Sequence, residues 1–147
     1  MRISPEPASP QRRVLLVDDN CHGLVARKSV LEEMGLLVST AVSGEEALGL
    51  VSSADYDLLI TDYRMAAMDG VELIRRARAA KPALKAILLS GFVEPLGLTE
   101  QSTGADEVIA KSAGEVAHLV RSVNRLLQRN QKKPPLSAGG SARAKAQ

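Results

Sequence analysis

The sequence holds one cysteine, no tryptophan, one phenylalanine and two tyrosines among 147 residues. A lone thiol, Cys21, closes no internal disulfide, and a chain of this length builds the core of one ordinary domain without such staples. Of the usual zinc ligands only Cys21 and His22 stand together, too few for a zinc site. No apolar run approaches the roughly 20 residues of a membrane-spanning helix, and the start Met1-Arg2-Ile3-Ser4-Pro5 lacks the apolar stretch of a signal peptide. A cytoplasmic, reducing location without membrane insertion is the expectation. Glycine is missing from the turn after the first apolar run, Asp18-Asp19-Asn20-Cys21, which weighs against a nucleotide-binding loop there.

Acidic residues are also missing from one end. The formal net charge is +2, but from Arg121 onward Arg121, Arg125, Arg129, Lys132, Lys133, Arg143 and Lys145 meet no acid. A basic tail attracts nucleic acid or an acidic partner, yet this one has no aromatic ring to stack on bases, so a solubilising tail or linker is the simpler expectation. Residues 1–11, with Pro5, Pro7 and Pro10, read as a disordered lead-in, and 131–147, with Pro134-Pro135 and Gly139-Gly140, as a disordered basic tail. One folded domain is expected over 12–130.

Within that span short apolar runs alternate with longer amphipathic stretches, the pattern of an α/β protein with a parallel sheet. Strands are predicted near 13–18, 36–41, 57–61, 84–90 and 106–110, and helices near 20–34, 44–53, 69–80, 95–103 and 113–130. Ser43 with Glu46, Asp69 with Glu72 and Ser112 with Glu115 have the spacing of capping boxes. Val116, Leu119, Val120, Val123, Leu126 and Leu127 form one predicted apolar stripe. The helix before the fifth strand, interrupted by Pro95, Gly97 and Gly104, is expected to be short or mobile.

Carboxylates stand at the strand ends. Val14-Leu15-Leu16-Val17 runs into Asp18-Asp19, and Leu58-Leu59-Ile60-Thr61 into Asp62, while Leu88-Leu89-Ser90 and Val108-Ile109-Ala110-Lys111 end in a hydroxyl and an ammonium. Right-handed crossovers bring the C-terminal ends of parallel strands to one edge, where ligands of open α/β sheets bind. Three carboxylates at that edge repel one another unless a cation joins them, and hard oxygen ligands suit Mg²⁺. An aspartate can attack phosphorus to give an acyl phosphate when both negative charges are offset, and Lys111 would help do this while Ser90 donates to a phosphoryl oxygen.

The chain here resembles the receiver domain of two-component response regulators from about Arg12 to Asn130. The residues carrying the resemblance are Val17-Asp18-Asp19-Asn20, Asp62-Tyr63-Arg64-Met65 with Met68-Asp69-Gly70, Leu89-Ser90-Gly91, and Gly104-Ala105-Asp106 leading to Lys111. The resemblance implies a doubly wound five-stranded parallel sheet of flavodoxin-like order 2-1-3-4-5 with helices on both faces. It implies Asp62 as phosphoacceptor, Ser90 as switch hydroxyl and Lys111 as phosphate contact. For Mg²⁺ it implies Asp19 and Asp62 as ligands, Asp18 acting mainly through water, and the backbone carbonyl of Arg64. The implied donor is a histidine kinase or histidine phosphotransfer protein, and the implied output is altered interaction with a downstream protein through the fourth helix, fifth strand and fifth helix, a face through which a homodimer could also form. Such a protein is no enzyme beyond its own phosphotransfer and dephosphorylation.

Several positions depart from the family pattern. Ser112 replaces the proline that commonly follows the lysine, so a trans Lys111–Ser112 bond with Ser112 as helix cap is expected. Val108 replaces an aromatic switch residue, and Ala66-Ala67 a proline-containing loop, which predicts less restraint there. Phe92 would pack over the loop or partly cover the site, and Arg64 would either lie on the surface or reach across the pocket mouth. Two other readings stand beside the receiver: a binding scaffold of the same fold with weak switching, and a Mg²⁺-dependent aspartyl phosphatase. The second wants another aspartate two residues beyond Asp62, where Arg64 stands.

Overall fold

A computed structural model describes residues 11–91 and 97–130, with side chains described as far as Leu127. The lead-in before Gln11, the tail over 131–147, Phe92 and Pro95 lie outside the described residues. In chain order the elements are β1 (Arg13–Val17), α1 (Cys21–Glu33), β2 (Leu37–Ala41), α2 (Gly44–Ser53), β3 (Leu58–Asp62), α3 (Gly70–Ala80), β4 (Lys85–Ser90), α4 (Glu100–Thr103), β5 (Glu107–Ala110) and α5 (Glu115–Asn130). The strands form one parallel sheet in the order β2-β1-β3-β4-β5, the doubly wound flavodoxin-like arrangement.

Alternation along the central strands sorts the core onto two faces. Val14 and Leu16, Leu58 and Ile60, and Ile87 and Leu89 point to the side covered by Leu24 and Leu31 of α1 and by Leu119, Val123, Leu126 and Leu127 of α5. Leu15 and Val17, Leu59, and Ala86 and Leu88 face Ala47 and Val51 of α2 and Leu73, Ile74 and Ala77 of α3. Both faces are dry, which is why these strands are continuous apolar runs. Each fully buried leucine or isoleucine contributes about 1.5–3 kcal/mol, and this double-sided packing holds the strand ends in register.

Helix starts follow their capping side chains. Ser43 accepts the Glu46 N–H at 3.1 Å, and Glu46 returns a carboxylate to the Val42 N–H at 2.8 Å. Asp69 accepts the Glu72 N–H at 2.9 Å. The third predicted cap is different: the carbonyl of Ser112, not its hydroxyl, accepts the Glu115 N–H at 3.0 Å. A turn over 112–114 precedes α5, and Glu115 has a long-range partner that takes it out of any capping box. Val116 likewise leaves its predicted stripe and is half exposed, because it lies in the first turn of α5 at the rim of a groove against α1. The Lys111–Ser112 bond is trans, as expected. α4 is a single turn, short as expected, opened by Thr99 accepting the Ser102 N–H. Among the described residues no helix is long and apolar enough to cross a membrane.

Candidate functional site

β1 and β3 are hydrogen-bonded neighbours with Val17 opposite Thr61, so the next residues, Asp18 and Asp62, emerge side by side at the C-terminal edge. Carboxylate oxygens of Asp18, Asp19 and Asp62 lie within 4.8 Å of one another. Asp18 and Asp62 are buried and Asp19 is exposed, so the cluster opens to solvent on the Asp19 side. An open cleft of about 440 Å³ begins there, lined by Asp19, Tyr63, Arg64, Met65 and Asp69.

β4 and β5 supply the other groups. Ser90, buried at the end of β4, offers its carbonyl to the Lys111 N–H at 2.9 Å, which ties the two strand ends together. From this anchor the Lys111 ammonium reaches Asp62 Oδ1 in a close ion pair. Burial pushes the Asp62 carboxyl above the ordinary aspartate range; the hydrogen bond and charge of Lys111 pull the other way, and the charge of Asp18 adds to the rise. The net shift upward means that one ammonium does not fully compensate this buried carboxylate.

The loop after Asp62 is held by its backbone. Tyr63 N–H donates to the Leu89 carbonyl at 2.8 Å and Gly70 N–H to the Tyr63 carbonyl at 2.9 Å, which docks the start of α3 beside Asp62. Only glycine fits at position 70: a Cβ there would lie 2.4 Å from the Asp62 carbonyl oxygen and 2.7 Å from Leu88 Cδ1. Within this loop Ala67 takes a left-handed φ of 71°, inside a tight turn in which Met68 N–H donates to the Ala66 carbonyl at 2.7 Å. Val108 is half-buried and packs against the core on the α2–α3 side.

The structure therefore gathers Asp18, Asp19, Asp62 and Lys111 at one edge, sets Ser90 at the end of the neighbouring strand, and places exposed Arg64 on the cleft wall with Asp19. It also adds two residues that motif reasoning passed over. Arg27 of α1 donates to Asp18 Oδ2 at 2.9 Å and, through Nε, to Glu115 Oε2 of α5 at 2.6 Å. The signal for Arg27 was present: Leu24, Arg27 and Leu31 share the inward stripe of α1, and a charge on such a stripe needs a buried partner. Glu115, 88 residues away, had no such signal.

Charge balance tests the fit of a metal. With the cleft wall included, Asp18, Asp19, Asp62, Asp69 and Glu115 are five carboxylates against the three cations Arg27, Arg64 and Lys111, a deficit of two positive charges. All three clustered donors are hard oxygens, and no histidine or cysteine joins them among the described residues. This donor set fits Mg²⁺, whose chemistry favours one or two carboxylates, water and phosphate oxygens.

Comparison with known proteins agrees with this geometry. The family model described as "Response regulator receiver domain" matches residues 14–124. The gliding motility regulatory protein of Myxococcus xanthus is 33% identical over 130 residues, covering 84% of this chain and 16% of that protein. The virulence sensor protein BvgS of Bordetella bronchiseptica is 36% identical over 118 residues, 74% of this chain and 10% of its own length. The chain thus spans a sixth or less of these two curated relatives. Among solved structures, the response regulator TrrA of Thermotoga maritima in complex with Mg²⁺-BeF superposes with a TM-score of 0.71 at 34% identity, covering 79% of this chain and 99% of that one. A CheY-like receiver domain protein from Methanospirillum hungatei gives a TM-score of 0.73 at 26% identity, covering 82% and 98%.

Proposed function

The chain belongs to the response regulator receiver family, a phosphoacceptor signalling module and not an enzyme in the usual sense, and on that premise we propose that Asp62 is the residue phosphorylated. The observation that carries the assignment is the buried Asp62 carboxylate paired with Lys111 and set within 4.8 Å of Asp18 and Asp19. In the reaction an Asp62 carboxylate oxygen attacks the phosphorus of a phosphohistidine. The P–N bond breaks, the imidazole leaves with its electron pair, and an acyl phosphate forms on Asp62. Lys111 then exchanges a carboxylate partner for a phosphoryl oxygen, and the Ser90 hydroxyl donates to a second oxygen. Asp19 and Asp62, with the Arg64 carbonyl, would hold Mg²⁺, and Asp18 would support it through water. Bound there, Mg²⁺ neutralises the carboxylates and the incoming phosphoryl oxygens, which otherwise repel.

The donor is a histidine kinase or histidine phosphotransfer protein, and the setting is cytoplasmic. Output is a change in protein contacts. Ser90 and Lys111 are joined through their backbones across β4 and β5, so a shift of both toward phosphate is transmitted to β5 and the adjoining helices, the face offered to a downstream protein or a second copy. Incubation with acetyl phosphate and Mg²⁺, followed by intact-mass measurement, tests the assignment: the wild type gains one phosphoryl group and Asp62→Ala gains none. Equal labelling of the two would overturn it.

A further inference from the structure

Arg27 takes no part in the phosphotransfer just described, yet it occupies the acidic edge. Its guanidinium lies between Asp18 and Glu115, and the three side chains retain only 11%, 3% and 13% of their exposure. Burial opposes the charge on Arg27, but the hydrogen bonds and charges of Glu115 and Asp18 outweigh it and hold the guanidinium above its ordinary pKa. Space has been left for this contact. A Cβ at Gly23, one turn earlier on α1, would sit 2.8 Å from Arg27 Nη1 and 3.1 Å from Asp18 Oδ2. Both oxygens of Asp18 are engaged, Oδ1 by the Asn20 N–H at 2.9 Å and Oδ2 by Arg27 at 2.9 Å.

We infer that Arg27 is a positioning residue that acts as a resident counter-cation: it competes with Mg²⁺ for Asp18 and links the outcome of that competition, through Glu115, to the first turn of α5. The inference rests on the reading of the aspartate cluster as a Mg²⁺ site. A divalent ion beside Asp18 would attract that carboxylate and repel the guanidinium, and with Asp18, Arg27 and Glu115 this little exposed both effects would be screened much less than at the surface. Arg27 then leans on Glu115, its remaining partner. Glu115 opens α5 four residues after Lys111, so the state of the metal site reaches α5 by a route separate from Ser90 and Lys111. Mg²⁺ affinity is thereby set below what the three aspartates alone would give.

The test is calorimetric titration of MgCl₂ into the metal-free full chain, with a thermal melt of each variant. Arg27→Gln is expected to bind Mg²⁺ about five- to tenfold more tightly than wild type. Glu115→Gln, which leaves the positive charge of Arg27 less balanced, is expected to weaken binding about threefold in the wild type and clearly less in the Arg27→Gln background, where only its direct charge on the ion is lost. Gly23→Ala forces the flexible end of Arg27 to move, asks Asp18 to give only slightly and removes no charge, and alanine favours the helix, so this variant decides the matter if Arg27→Gln does not fold. It too should bind more tightly. In the unaltered chain the Arg27 Nε–Hε resonance should move as Mg²⁺ is added. Wild-type or weaker affinity in a folded Arg27→Gln or Gly23→Ala, an equal effect of Glu115→Gln in both backgrounds, or an unmoved Arg27 resonance in a chain that does bind Mg²⁺ would overturn this inference alone. No Mg²⁺ binding by any form would overturn the metal site and this inference together.

Discussion

Asp62 is a buried acid whose ionised form is undercompensated, and that has a consequence for stability. Its folded-state pKa lies above the unfolded value, first through burial, with Lys111 pulling it down and Asp18 pushing it up. The folded chain therefore holds the proton more tightly than the unfolded chain. The contribution of Asp62 to stability is fully present below the usual aspartate pKa of about 3.9 and is lost as pH rises through the raised value. In metal-free buffer Asp62→Asn is expected to melt higher than wild type at neutral pH, and the gap to close as the buffer is taken toward about pH 4. Thermal melts of both proteins across that interval check the sign, and a constant gap would rule out Asp62 as its source. Ala67 is a second residue under local stress: a left-handed φ of 71° suits glycine or asparagine better than alanine. Ala67→Gly should raise the unfolding free energy by about 0.5–1 kcal/mol, read from the shift in urea midpoint at unchanged slope.

At the scale of elements, α3 is the piece whose docking the site depends on most directly. Its first residue, Gly70, touches the Asp62 backbone and Leu88 so closely that a single methyl does not fit. The Asp62 carbonyl belongs to β3 and cannot move aside without disturbing the pairing of Asp62 with Leu89 on β4. Gly70→Ala is expected to cost about 1–3 kcal/mol in urea unfolding and to slow labelling of Asp62 by acetyl phosphate, since the strand end and the helix start must separate. Unchanged stability together with unchanged labelling would show that the loop absorbs the methyl. α5 is bound at the opposite flank by Leu119, Val123, Leu126 and Leu127 in the core and by Glu115 on Arg27. One helix is thus attached both to the hydrophobic face and to the charged edge.

For the whole molecule, the sheet converts residues far apart in the chain into one electrostatic unit, and that unit is short of positive charge. An ion that binds only the folded form stabilises it by mass action. Mg²⁺ at about a hundred times its dissociation constant should add about 2.7 kcal/mol to the unfolding free energy, measured by urea titration with and without chelator. Asp19→Asn should lose most of that increment. A full increment in Asp19→Asn would remove Asp19 from the ligand set.

Much of this was legible without coordinates, because the signals are local. Apolar runs such as Leu58-Leu59-Ile60 mark strands buried on both faces, Ser43 and Asp69 mark helix starts, and acids following two such runs mark a charged sheet edge once crossover handedness is applied. The predicted strands and helices accordingly differ from those observed mainly at their ends. The capping pattern at Ser112 assumes that Glu115 serves its own helix, whereas it serves Arg27, and the stripe pattern at Val116 takes no account of the groove against α1 at whose rim that residue stands. By itself the sequence determined which elements form and which residues stand at their ends, since both depend on neighbours a few positions away. Only the tertiary structure decided that Arg27 and Glu115 meet, 88 residues apart, and that Asp18 is already held by a cation. Such a pairing depends on how α1 and α5 settle side by side on one face of the sheet, and no periodicity within either helix encodes its distance from the other.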